Sequence, residues 1–96
     1  MAKIKANEAL VKALQAWDID HLYGIPGDSI DAVVDSLRTV RDQFKFYHVR
    51  HEEVASLAAG SYTKMTGKIG VALSIGGPGL VHLLNGMYDA KMDNVP

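Results

Sequence analysis

Three times in 96 residues a short apolar run ends in a turn and a helical pattern begins. The turns are Gly24-Ile25-Pro26-Gly27-Asp28-Ser29, Arg50-His51-Glu52-Glu53 and Gly76-Gly77-Pro78-Gly79. Repeated strand-to-helix succession points to an α/β unit, because crossovers of this length join parallel strands, with the right-handed sense such units adopt. In a parallel sheet all three turns open at one edge, beyond the carboxyl ends of the strands, where open α/β sheets bind their ligands. The spacing therefore sets a carboxylate between two turns with accessible backbone.

The predicted order is helix, strand, helix, strand, helix, strand, helix. Leu10, Val11, Leu14 and Trp17 recur at helical spacing from about Asn7, with Asn7 and Glu8 marking the start. His21 to Ile25 reads as a buried strand ending at Pro26-Gly27, after which Asp28 or Ser29 caps a helix striped by Ile30, Val33, Val34 and Leu37. Phe44 to Val49 is the second strand, and Glu52 to Met65 a helix that stops at Gly67. Ile69 to Ile75 is apolar almost throughout, as a central parallel strand should be. The last helix follows Gly79, with Leu80, Leu83, Leu84 and Met87 on one side. Residues 1–96 thus read as a three-layer open parallel sheet with helices on both faces. The ending at Asp93-Asn94-Val95-Pro96, where an α/β chain would enter its next strand, suggests the opening part of a larger domain.

Ten basic against eleven acidic residues leave no excess to neutralise nucleic-acid phosphates or an anionic membrane. Without cysteine there is no disulfide framework or thiolate, which fits a cytoplasmic setting. Charged residues interrupt the amino-terminal apolar residues before a signal-peptide core forms, and no run reaches membrane-spanning length.

Each turn also has an ordinary structural role. The Gly76 to Gly79 turn would let a flat or anionic ligand approach, yet it fails the dinucleotide pattern, whose third glycine would fall on His82, and no Walker lysine occurs. Pro26-Gly27 is an ordinary turn, and Asp28 is a cap with a second possible role as a pocket wall. Glu52 and Glu53 sit in a first helical turn, where negative charge is favoured, and only one of two adjacent residues can face the sheet edge. His48-x-x-His51 straddles a strand end and fits no zinc motif, so no metal ligand is assigned.

Taken together, Tyr23 to Ser29, Arg50 to Ala55, Thr66 to Val71 and Gly77 to Ala90 resemble the amino-terminal, pyrimidine-binding domain of thiamine-diphosphate-dependent enzymes. Among these the chain looks most like the pyruvate oxidases. The resemblance implies that Glu52 is the cofactor activator: hydrogen-bonded to N1′ of the aminopyrimidine, it favours the imino tautomer whose 4′-nitrogen deprotonates thiazolium C2. It further implies that Pro78, Gly79 and Ile75 pack beside the pyrimidine, that Asp28, Ser29 and His82 line the reacting end, and that Glu53 is a bystander. Acetolactate synthases usually carry asparagine at the His82 position.

By the same resemblance, the substrate is pyruvate and the assembly a homo-oligomer with its site at a subunit interface. FAD, Mg2+ and the diphosphate would be held by later segments, so this portion alone would be inactive. An acetolactate synthase, another 2-oxo-acid decarboxylating relative, or a non-catalytic assembly module stand as alternatives.

Overall fold

A computed structural model describes residues 3–96. Helix α1 (Ala6–Ala16) leads into strand β1 (His21–Gly24), and a single 3-10 turn, Asp28–Ile30, precedes α2 (Asp31–Thr39). Then come β2 (Lys45–His48), α3 (Glu52–Thr66), β3 (Ala72–Leu73) and α4 (Pro78–Met92). The strands are parallel in the order β2-β1-β3, with Tyr23 opposite both Tyr47 and Ala72. The predicted architecture, an open parallel sheet with helices on both faces, is the one observed.

Period-2 alternation along β1 separates the layers. Leu22 joins Val11 of α1, Leu37 of α2, Ile19 and Phe44 in the core, with Val33, Phe46, Val71 and Leu73 packed around them. Leu22 and Phe44 are almost wholly buried, and each such side chain contributes about 1.5–3 kcal/mol by leaving water. On the opposite face, the His21 ring meets Tyr62 of α3 edge-on at 4.4 Å, and Tyr23 stacks on Tyr47 at 5.4 Å. The sheet is thus sandwiched between α1 with α2 and α3, and α4 lies against α3.

Four local expectations are corrected. The run Ile69 to Ile75 pairs as a strand only at Ala72–Leu73 and lies at an edge, with β1 in the centre. Its apolar character comes from being packed between layers, where Val71 and Leu73 reach the core, and not from ladders on both sides. Asp28 and Ser29 do not cap α2: they form the 3-10 turn, α2 starts three residues after Asp28, and its N-cap position is Ile30, with no side-chain cap bond. Trp17 is 71% exposed, because α1 ends at Ala16 and Asp18, with φ 60°, turns the chain away. Leu80, Leu84 and Met87 of α4 are each more than half exposed, since α4 packs through a different stripe.

That stripe is Gly79, Leu83 and Gly86, continued by Ala90, at spacings of four, three and four. It meets Glu52, Ser56 and Gly60 of α3 in the same sequential order, so the two helices run parallel and both begin at the carboxyl edge of the sheet. Gly86 makes the closest approach: a Cβ there would fall 2.2 Å from Ser56 Oγ and 2.6 Å from the Leu57 backbone nitrogen. At the far end Lys64 bridges Asp89 and Asp93 of α4.

Helix α3 stops where the sequence predicts. Gly67 takes the left-handed conformation, φ 73°, and its N–H donates to the Thr63 carbonyl at 2.8 Å. A Cβ at Gly67 would meet nothing within 4 Å, so Gly67→Ala should cost about 1 kcal/mol from backbone strain alone. A lower melting temperature with an unchanged circular-dichroism spectrum is the expected result.

Candidate active site

The carboxyl ends of β1, β2 and β3 gather the three turns as the spacing predicts, and Ile75 sits between two of them. A Cβ on Gly27 would lie 2.6 Å from Ile75 Cγ2, and one on Gly79 would lie 3.4 Å from Ile75 Cγ1 and 3.0 Å from Glu52 Oε1. Pro78 occupies the first turn of α4, where its fixed φ suits the helix and its missing N–H costs nothing. Glu52, Ile75, Pro78, Gly79 and His82 therefore come together. Asp28 and Ser29 are exposed on the neighbouring turn.

Glu52 is held from one side. His82 Nδ1 donates to Glu52 Oε2 at 2.9 Å, leaving Oε1 as the oxygen beside Gly79. The Glu52 side chain is only 15% exposed, against 43% for His82. The His82 hydrogen bond, helped by a backbone hydrogen bond, keeps the Glu52 carboxyl below its ordinary value of 4.5. A depressed pKa means that the ionised carboxylate adds to stability above pH 4.5 and that this contribution is lost as pH falls through the folded-state value. In His82→Ala, a carbon-13 titration of the Glu52 carboxyl should move back up toward 4.5.

Glu53 is occupied elsewhere, accepting from Asn85 Nδ2 of α4. The two adjacent glutamates thus hold different residues of one neighbouring helix. His51 precedes them as the N-cap of α3, its Nδ1 accepting the Glu53 backbone N–H at 3.1 Å. Its ring stacks on His82, with centroids 4.4 Å apart and planes 27° from parallel. In the sequence His51 stands out only within the His48-x-x-His51 pair and the Arg-His-Glu-Glu run, and not as a helix cap, because the preferred caps are Ser, Thr, Asp and Asn. Asn85 was equally silent, since its partner lies 32 residues away.

Donor atoms of His51, Glu52 and His82 lie within 4.8 Å of one another, the ligand number of a catalytic zinc site. Their hydrogen bonds commit them otherwise. With Nδ1 of His51 accepting from the backbone, the neutral ring carries its proton on Nε2, so coordination there would break the helix cap, at about 1 kcal/mol. A hollow of about 560 Å³ lined by Asp20, His21, Tyr23 and Lys45 opens at the other edge of the sheet, away from Glu52.

An open parallel sheet with a carboxylate at its carboxyl edge, beside a glycine-lined turn, defines a ligand-binding α/β domain. Residues 4–96 match the family described as thiamine pyrophosphate enzyme, N-terminal TPP binding domain, and the chain belongs to that family. It is 58% identical over 96 residues to the putative thiamine pyrophosphate-containing protein YdaP of Bacillus subtilis (strain 168), covering all of this chain and 17% of that protein. It is 53% identical over 93 residues to the pyruvate oxidase of Lactiplantibacillus plantarum, covering 97% of this chain and 15% of the oxidase. An acetolactate synthase of Arthrospira platensis is 38% identical over 90 residues, 92% of this chain and 16% of the synthase. The chain spans less than a fifth of the length of each of these relatives. Among the described residues no helix is long and apolar enough to cross a membrane.

Proposed function

We propose that this chain forms the aminopyrimidine-binding part of a thiamine-diphosphate- and FAD-dependent pyruvate oxidase acting in the cytoplasm. The observation that carries the reading is the half-held carboxylate: Oε2 of Glu52 is bound to His82, and Oε1 is left beside Gly79 and Ile75. The absence of a Cβ at Gly79 leaves room for a flat ring against Glu52, and Ile75 offers an apolar wall; these residues fit the pyrimidine end of the cofactor.

When bound, thiamine diphosphate supplies an acidic carbon and an electron sink for decarboxylating a 2-oxo acid. Glu52 would share a proton with the ring nitrogen at Oε1, His82 would hold Oε2 so that the carboxylate does not rotate away, and Ile75 with Pro78 would keep water from the ring face. The diphosphate, Mg2+ and FAD would be bound by segments outside this chain. A homo-oligomer with the site at a subunit interface belongs to the same proposal.

The higher identity to a pyruvate oxidase than to an acetolactate synthase, and a histidine at position 82, support the oxidase reading. Product analysis of the complete protein with pyruvate tests it. Acetyl phosphate or acetate with peroxide is expected, whereas acetolactate would replace it with the synthase reading. Failure to bind thiamine diphosphate at all would favour an assembly module.

A further inference from the structure

We propose that His51 is a positioning residue for Glu52, acting through His82. This rests on the reading of Glu52 as the cofactor contact and adds a residue to it. Three links carry the proposal, each between neighbouring groups.

First, the backbone N–H of Glu53 fixes His51, because donation to Nδ1 selects one tautomer and one orientation of the ring. Second, that ring stacks on His82, which comes from the other helix and is otherwise exposed on one side. Third, His82 Nδ1 donates to Oε2 of Glu52 and leaves Oε1 as the free oxygen. The chain of contacts begins and ends within α3, passing through α4 between.

The rigid spacing of α3 and α4 at Gly86 makes the arrangement geometrically stiff. A side chain held at two points presents one oxygen in one direction, and misplacement by about 1 Å can cost around 10²-fold in rate. Without the His51 ring, His82 has open space in which to rotate, and Oε2 loses its donor. His51 touches neither substrate nor cofactor in this scheme; its effect is on where Glu52 points.

The test uses the complete protein with His51→Asn. Asparagine is a good helix cap, so the melting temperature should stay near wild type while the stacking ring is lost. In the cofactor-free protein, a carbon-13 titration of the Glu52 carboxyl, assigned by its disappearance in Glu52→Gln, should shift upward toward 4.5, and His51→Asn combined with His82→Ala should shift no further than His82→Ala alone, which separates action through His82 from the direct electrostatic pull of His51. The charged or titratable groups around that carboxyl are His82, His51 and Glu53, with Asn85 beside Glu53. Turnover of the loaded enzyme should fall about 10- to 100-fold.

A wild-type titration in His51→Asn overturns the proposal, as does a shift that appears only together with a lowered melting temperature. The underlying reading fails separately. If the titration moves but Glu52→Gln retains turnover, His51 positions Glu52 and Glu52 is not the activator. If the titration stays while Glu52→Gln is crippled, the activator stands and His51 is only a cap.

Discussion

Glu52→Gln in the complete enzyme should lower turnover by about 10²–10⁴-fold, the range spanned by losing a positioned acid–base group. Glutamine has the same shape and can still accept from His82 through its amide oxygen, so the pocket keeps its packing. What it loses is the ability to give or take a proton at the atom beside Gly79. The measurement is steady-state turnover beside a melting curve, and near-normal turnover in a folded variant would remove Glu52 from the mechanism. Glu53→Gln is the internal control. Its carboxylate already accepts from Asn85, one residue along and turned to a different part of α4, so the effect on turnover should be far smaller.

Gly86→Ala carries the largest expected effect on stability. Alanine in place of glycine normally stabilises a helix by about 1 kcal/mol. Here the added methyl would lie 2.2 Å from Ser56 Oγ and 2.6 Å from backbone atoms of Ser56 and Leu57. A hydroxyl can rotate, but backbone cannot, so α3 and α4 must separate. Overpacking of this kind costs about 1–3 kcal/mol, which outweighs the helix gain at most of that range. A melting temperature several degrees lower is expected for the complete protein. An unchanged or raised melting temperature would mean that the helices do not touch at this point. Because the same contact sets the distance between Glu52 and His82, the variant should also relax the Glu52 titration upward, linking the two ends of the helix pair.

Much of the fold was legible in the residues because α/β patterning is local. Gly67 ended α3 where a left-handed cap was expected, and the three strand ends carried the turns to one edge. The errors arose where tertiary contacts override pattern. The apolar stripe of α4 misled because that helix packs by small residues, whose value lies in the backbone approach they permit and not in their hydrophobicity. Ile69 to Ile75 looked central because burial between layers and burial within a sheet leave the same apolar signature. Asp28 and Ser29 had the chemistry of caps, but a 3-10 turn displaced the helix start beyond their reach.

At the site, the pair Glu52 and Glu53 was found from its place at a helix start, and the resemblance chose Glu52 between them. The companions that hold it were not, because His51 to His82 and Glu53 to Asn85 are pairings across elements about thirty residues apart. No local spacing encodes such pairs. Resemblance supplied His82, and only geometry supplied His51.

The shared starting edge of α3 and α4 has an electrical consequence. Each helix end carries the equivalent of about half a positive elementary charge on its unpaired N–H groups. Two such ends lie side by side, and they face the carboxylates of Glu52 and Glu53 in the first turn of α3. The backbone of two helices thereby offsets part of the repulsion between adjacent carboxylates, which helps Glu52 stay ionised at a spot largely shielded from water.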